Sequence, residues 1–190
     1  IHFTASHMTK SQIADSKIGQ LVKKLSKATL KSTLYVLPST YFDLAIAGKG
    51  SAYELILFRR FIARCAERLS EKLHVHALVT GDNLSQVASQ TLTNIASTTR
   101  AVEIPVLQPL LTYEKEEIIN LSNKIDTFEL SIQPYKDCCS IFQRNPRTAS
   151  NYRDLAQIES NLFPDYDKMI EDTISDMFWI TYRYGKSMKK

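Results

Sequence analysis

Residues 80–91 read Thr-Gly-Asp-Asn-Leu-Ser-Gln-Val-Ala-Ser-Gln-Thr, and they are the most informative stretch of the chain. It follows a short apolar run, His76-Ala77-Leu78-Val79, that is typical of a buried parallel strand. A polar-faced helix is predicted to follow, over about residues 84–96. The segment between the carboxyl end of a strand and the amino end of a helix is where open α/β sheets bind ligands. The stretch therefore predicts a nucleotide or substrate edge, although it lacks the full phosphate-cradling consensus.

The composition is that of a globular protein, and 190 residues give room for one sizeable domain. Hydrophobic residues make up 44% of the chain and charged residues 23%, with no apolar run near the roughly 18 residues of a membrane span. The net charge of +4 is compatible with RNA contact without requiring it. Three cysteines, two of them adjacent, do not make a disulfide framework, so a reducing cytoplasm is the expected compartment.

Strand and helix signals alternate, with connections too long for hairpins. This pattern predicts an α/β fold with a doubly wound parallel sheet covered on both faces. Residues 1–145 are expected to form this domain, and residues 146–190 a helical C-terminal extension. Strands are predicted at 33–37, 76–79 and 104–107, and helices at about 9–28, 51–72, 84–96, 112–123 (with Thr112 as N-cap), 151–161 and 165–180.

The Gly81-Asp82 turn has two interpretations. Gly81 would let the backbone approach a ligand closely and Asp82 would cap the following helix, but such a turn also joins strands to helices where nothing binds. Gln86 and Gln90 lie four residues apart and would share a helical face, turned either to adenine or ribose or to water.

The adjacent pair Cys138-Cys139 is the candidate for thiol chemistry. Lys136 and Arg144 are close in sequence and would lower a thiol pKa, which favours the reactive thiolate. Adjacent cysteines are poorly spaced for a zinc site, and no metal site is predicted. The alternatives are a sulfur-handling thiol and two half-buried small residues, whereas Cys65 falls on an apolar helix face and is expected in the core.

Three arginines crowd the helix predicted at 51–72. Arg60 and Arg64 share a face, and Arg59 points elsewhere. The arginine fork suits phosphate because it donates two parallel hydrogen bonds. A solvated helix face is the alternative for at least one of them.

Taken together, these segments resemble the catalytic domain of the tRNA 4-thiouridine synthetases, also described as ThiI-type sulfurtransferases of thiamine biosynthesis. The resemblance covers most of residues 1–145 in the same order and fades beyond about residue 150. The matching stretches are His2-Phe3, Leu57-Phe58-Arg59-Arg60, Thr80-Gly81-Asp82 continuing to Gln86-Val87-Ala88-Ser89-Gln90-Thr91, Pro105-Val106-Leu107-Gln108-Pro109-Leu110, Lys115-Glu116-Glu117-Ile118-Ile119 and Pro134-Tyr135-Lys136-Asp137-Cys138-Cys139.

The resemblance implies a fold of the PP-loop adenine nucleotide hydrolase type and a two-step reaction on tRNA. ATP, with Mg²⁺, adenylates uridine 8, and persulfide sulfur from a cysteine desulfurase or another donor then displaces AMP. Cys138 falls where some members place the thiol of sulfur transfer, and Cys139 is the immediate alternative. The ATP contacts implied by position are His2, Phe3, Arg59, Gly81 and Gln90.

One part of the family pattern is missing from this sequence. Members carry a Ser-Gly-Gly-x-Asp-Ser phosphate loop ahead of the strand that ends at His2-Phe3, and no such run occurs here. The backbone N–H groups of that loop hold the pyrophosphate, so these 190 residues alone are expected not to adenylate RNA. Because the chain begins at Ile1 rather than Met, an absent upstream segment is favoured over a degenerate enzyme. A homodimer, or a partner chain that supplies the loop, is the corresponding expectation for assembly.

Two other functions remain open. One is a noncatalytic RNA-binding or scaffold subunit that completes its sheet with another polypeptide. The other is sulfur transfer to thiamine thiazole.

Overall fold

The computed structural model describes residues 1–5, 7–49, 51–84, 87–135 and 147–188. These residues form two compact α/β units. Unit 1 comprises the described parts of Ile1–Pro38, Tyr113–Asp137 and Asp176–Lys190, and unit 2 those of Ser39–Thr112 and Cys138–Ser175. The elements in chain order are β1 (His2–Thr4), α1 (Lys10–Asp15), α2 (Lys17–Leu25), β2 (Lys31–Pro38), α3 (Thr40–Ile46), α4 (Glu54–Leu73), β3 (Leu78–Val79), a 3₁₀ turn (Ala88–Gln90), α5 (Leu92–Thr99), β4 (Val106–Leu107), α6 (Lys115–Lys124), α7 (Phe128–Ser131), α8 (Tyr152–Leu162), α9 (Tyr166–Ser175), β5 (Phe178–Arg183) and β6 (Lys186–Ser187).

Unit 1 is built on a four-stranded sheet with the order β1-β2-β5-β6. β1 runs parallel to β2, whereas β5 is antiparallel to both β2 and β6. Alternate residues of β2 and β5 face α1 and α2, because successive side chains of a strand point to opposite faces. The buried cluster on this side consists of Ile13, Leu34, Val36, Ile180 and Tyr182.

Unit 2 combines the parallel pair β3 and β4 with helices α3, α4, α5, α8 and α9. The longest helix, α4, has 20 residues and buries one side against α5 and α9. Phe42, Phe58 and Phe61 pack with ring centroids 5.1–6.4 Å apart and form the aromatic part of this core. None of the described helices combines the length and apolar character that a bilayer span requires.

A buried ion pair ties α4 to α8 inside unit 2. The Arg60 guanidinium has no solvent exposure, and its Nε and Nη2 each donate to a Glu159 carboxylate oxygen at 2.7 Å. Its Nη1 donates to the carbonyl oxygen of Ser97 on α5, and the Tyr152 ring lies 5.3 Å from its Cζ. Such a pair offsets its desolvation only when the geometry is good and the other polar groups are bonded. Each of the three guanidinium nitrogens donates a hydrogen bond here.

The structure corrects the prediction of one helix over residues 9–28. Ser16 has an extended backbone (φ −68°, ψ 162°), so it ends α1 and begins α2. Its hydroxyl accepts from the N–H of Gly19. Gly19 allows this tight junction, because a Cβ there would lie 2.2 Å from the Ile13 carbonyl oxygen.

Two predicted helix starts are also wrong. The polar segment after β3 does not form a helix over 84–96, because its described part holds a 3₁₀ turn and α5 begins only at Leu92. Thr91 caps α5 by accepting from the N–H of Asn94. Glu114, rather than Thr112, is the N-cap of α6, in a capping box with Glu117.

The C-terminal region contains strands that the sequence did not predict. The two helices are present as α8 and α9, but α9 ends at Ser175, and Phe178–Arg183 forms β5 instead of continuing a helix to residue 180. The sheet of unit 1 is therefore mixed rather than wholly parallel. A domain boundary at residue 145 stays a prediction.

The buried pair of Arg60 and Glu159 predicts that two glutamates contribute very different amounts to the free energy of unfolding. Glu159→Gln leaves the Arg60 charge buried and incompletely neutralised, so we expect it to lower the free energy of unfolding by about 3–5 kcal/mol. Glu171→Gln is the matched control, because Glu171 also meets two cations, Arg68 and Lys72, at the surface. Glu171→Gln should lower the free energy of unfolding by at most about 1 kcal/mol. Urea unfolding measures this free energy for both variants, and an equally small loss in Glu159→Gln would contradict this role for Glu159.

Candidate functional site

Polar side chains meet in unit 2 at the carboxyl ends of β3 and β4. Asp82 follows β3 and is 5% exposed. Its Oδ2 accepts from the Thr80 hydroxyl at 2.8 Å and from Nε2 of Gln108 at 3.1 Å. Its Oδ1 accepts from Arg59 Nη2 and from Gln90 Nε2, the latter at 3.4 Å. We call these five residues the Asp82 cluster.

The environment of Asp82 keeps its carboxylate ionised. Burial alone would raise its pKa. The charge of Arg59 and the hydrogen bonds from Arg59, Thr80 and Gln108 outweigh burial and hold the pKa of Asp82 below its usual value. Asp82 is thus a fixed negative group that orients the donors around it. It does not cap a helix, which corrects the interpretation of Asp82 from the sequence.

Arg59 is presented to this cluster by α4. Its neighbour Arg60 is locked to Glu159 on another side of the helix, which fixes the rotation of α4 about its axis. The Arg59 side chain is 18% exposed, and its Nε is buried without a hydrogen-bond partner among the described residues. Only the small exposed part of the side chain is within reach of a ligand, because Asp82 holds Nη2.

Gly81 is an exposed residue beside Asp82. A Cβ built at Gly81 would meet no atom of the described residues within 4 Å, and the backbone there does not need glycine for its conformation. The free space above Gly81 is what the close approach of a ligand to this backbone would require.

His2 and Phe3 belong to unit 1. The tyrosine hydroxyl of Tyr135 lies 2.8 Å from His2 Nε2, and the two ring centroids are 5.9 Å apart. Phe3 is 4% exposed, so its side chain is committed to the core.

The third cysteine, Cys65, is buried on α4 as expected from the sequence. Burial, with a smaller effect from the Glu171 carboxylate, raises its pKa far above the usual range, so Cys65 stays a thiol. Cys138, Cys139, Gln86, Lys136 and Arg144 lie outside the described residues. Within the part of the chain that the structure describes, no group of three or more His, Cys, Asp or Glu side chains could hold a metal ion.

Sequence reasoning missed three members of this site. Asp82 was interpreted as a cap rather than as the centre of the cluster, and Thr80 and Gln108 were given no role of their own. A usable signal exists, because Thr80 and Gln108 directly follow β3 and β4, and the carboxyl ends of neighbouring parallel strands meet at one edge of a sheet. Arg59 and Gln90 were singled out, and the structure brings both to Asp82.

Comparison with known proteins identifies the family. The family model for the thiamine biosynthesis protein (ThiI) matches residues 1–163. The chain belongs to the ThiI family. A "Probable tRNA sulfurtransferase" of Brevibacillus brevis is 39% identical over 177 residues, which are 92% of this chain and 44% of that protein. Its counterpart in Clostridium perfringens is 38% identical over 174 residues, 90% of this chain and 45% of that protein.

A solved structure has the same fold. It is the crystal structure of a 4-thiouridine synthetase–RNA complex with bound ATP, and it superposes with a TM-score of 0.84 at 29% sequence identity. The match covers 95% of this chain and 47% of that one. The predicted PP-loop type of α/β fold is thereby confirmed. The chain spans about half the length of the curated relatives and of the solved structure that it matches.

The pKa of Asp82 offers a direct test of the cluster. In an NMR titration, the Asp82 carboxyl should titrate below the usual value of about 3.9. Arg59→Met should raise that midpoint, because burial then acts without the guanidinium, whereas Arg64→Met should leave it unchanged. A depressed pKa contributes stability that is full above about pH 4 and is lost as the pH falls through the folded-state value. An ordinary midpoint in the parent protein would contradict this electrostatic description.

Proposed function

We propose that this chain is part of an ATP-dependent tRNA sulfurtransferase that makes 4-thiouridine. The observation that carries the proposal is a polar cluster of Arg59, Asp82 and Gln90 at paired strand ends in a chain of the ThiI family. Ligands of open α/β sheets bind outside the carboxyl ends of the strands, so this is the expected side of the sheet for a nucleotide.

ATP is the proposed cosubstrate, and the donor set suits it. Arg59 offers a guanidinium for phosphate or ribose oxygens, Gln90 an amide, and Gly81 an exposed backbone with open space above it. His2 and Phe3, which belong to unit 1, are the proposed adenine contacts. Mg²⁺ is proposed to accompany the nucleotide as its phosphate counter-ion.

The proposed chemistry has two displacements on the RNA. The carbonyl oxygen of uridine 8 attacks the α-phosphorus of ATP, and pyrophosphate leaves. The outer sulfur of a persulfide on Cys138 or Cys139 then attacks the activated carbon, and AMP leaves with the former carbonyl oxygen. A second thiol cleaves the remaining S–S bond, which releases 4-thiouridine and leaves a disulfide for a cellular thiol to reduce.

The proposed partners follow from these steps. A tRNA is the sulfur acceptor, and a cysteine desulfurase or another persulfide donor loads the cysteine. A homodimer, or a partner chain that supplies a phosphate loop, is the proposed assembly.

A scaffold role is the second candidate, and one observation favours it. Val79 and Leu107 are paired in register on β3 and β4, yet they are 68% and 54% exposed. Apolar strand residues that remain exposed are suited to contact with further polypeptide. Under this alternative the chain would complete a sheet without catalysing sulfur transfer.

The cysteines provide the functional test. A strain that lacks the gene receives plasmid copies of the full gene with the parent sequence, with Cys138→Ser or with Cys139→Ser. The 4-thiouridine content of bulk tRNA is then measured by mass spectrometry and compared with that given by the parent gene. We expect at least one of the serine variants to abolish the modification, because serine cannot carry a persulfide. Cys65→Ala is the matched control and should retain it, since Cys65 is buried and remains a thiol.

The outcomes separate the candidates. Unchanged 4-thiouridine in the deletion strain would contradict the sulfurtransferase proposal. Thiamine auxotrophy with normal 4-thiouridine would point to the thiazole instead. Full modification by both serine variants would leave a scaffold role as the better explanation.

A further inference from the structure

The sheet of unit 1 has a face that α1 and α2 do not cover. It carries the β2 and β5 residues that alternate with the buried cluster, in three cross-strand pairs. We call it the outer face. Its pairs are Lys31 with Arg183, Thr33 with Thr181, and Tyr35 with Trp179.

One end of the outer face is a row of cations. Arg183 lies opposite Lys31 on one side and opposite Lys186 on the other, so three exposed positive side chains stand in register across β2, β5 and β6. Like charges directly opposite each other on neighbouring strands are destabilising. A bound polyanion would remove that cost, because phosphates placed along the row would neutralise the three charges.

The other end of the outer face is aromatic. Trp179 is 50% exposed, and its ring centroid lies 6.5 Å from that of the partly buried Tyr35. Lys10 Nζ lies over the Trp179 ring, 5.8 Å from its centroid. A half-exposed indole is a platform on which bases of single-stranded nucleic acids stack, and a lysine at the same ring supplies a cation for phosphate.

The cationic and aromatic rows belong to one continuous surface. Between them, the Thr33 and Thr181 hydroxyls lie 3.2 Å apart and offer hydrogen bonds to sugar or base. Four residues of strand separate the rows, which is about 13 Å. A groove of about 810 Å³ lies where α1 meets β5, and Lys10, Ser11 and Ala14 line it on the α1 side. Its sheet side includes Lys31, Trp179 and Arg183, and no carboxylate is among its described lining.

We propose that the outer face binds a single-stranded segment of RNA, with a base stacked on Trp179 and phosphates along Lys31, Arg183 and Lys186. The proposal rests on the proposed function for its choice of RNA as the polyanion. An acidic peptide would satisfy the cations but would leave the aromatic row without a stacking partner. The ligand is therefore defined by phosphates and planar bases together.

The test uses the full gene product and a fluorescently labelled, mixed-sequence 12-nucleotide RNA, followed by anisotropy. Trp179→Leu should weaken binding by about 5- to 100-fold through lost stacking, while Trp179→Phe should bind nearly as the parent does. Lys31→Gln and Arg183→Gln should each lower the slope of log Kd against log salt by about 0.7. Lys23→Gln is the charge-matched control, because Lys23 is exposed on α2, which packs on the other face of the sheet.

Three results would overturn the proposal. These are parent-like RNA affinity in Trp179→Leu, salt slopes that fall equally in Lys23→Gln, and tighter binding of a poly-glutamate peptide than of the RNA. Calorimetric ATP titration of the same variants should give the parent affinity, which would show that they fold. If Trp179→Leu binds RNA as the parent does and 4-thiouridine is still formed in cells, only the RNA-binding role of the outer face is contradicted. If the cells form no 4-thiouridine but RNA affinity still depends on Trp179, only the proposed sulfurtransferase function is contradicted.

Discussion

A guanidinium without access to solvent has to be neutralised, and this constraint organises unit 2. Arg60 meets it through two hydrogen bonds to Glu159 and one to the Ser97 carbonyl, which draw α4, α8 and α5 together. The same bonds set which face of α4 is buried. Since consecutive helix positions point about 100° apart, fixing Arg60 also fixes where Arg59 points.

Two neighbouring arginines therefore have different environments. Arg60 is fully buried in the core, whereas Arg59 is partly exposed beside Asp82 at the strand ends. Asp82 stays ionised there because the donors around it outweigh the effect of burial on its pKa. The outcome is a charged and preorganised edge next to the exposed backbone of Gly81, on the side of the sheet where α/β proteins bind nucleotides.

Local patterns predicted the elements that depend on local interactions. The apolar run at 33–37 is confirmed as β2, and the helix predicted at 51–72 as α4. The predictions were wrong where contacts with residues far away in the sequence determine the structure. Phe178-Trp179-Ile180 looks like a continued helix until it pairs with residues 34–36, about 145 positions earlier. Likewise, the role of Asp82 depends on Arg59 and Gln108, 23 and 26 residues away, so only the fold identifies it as the centre of the cluster.

We propose that the Asp82 cluster forms part of the nucleotide site. Calorimetric titration of ATP into the full gene product carrying Asp82→Asn tests this role, because the change keeps the shape of the side chain and removes the charge that orients Arg59. We predict that the affinity for ATP falls at least tenfold, a loss of about 1.4 kcal/mol, with the helical circular dichroism retained. Parent-like affinity in this variant would contradict the claim.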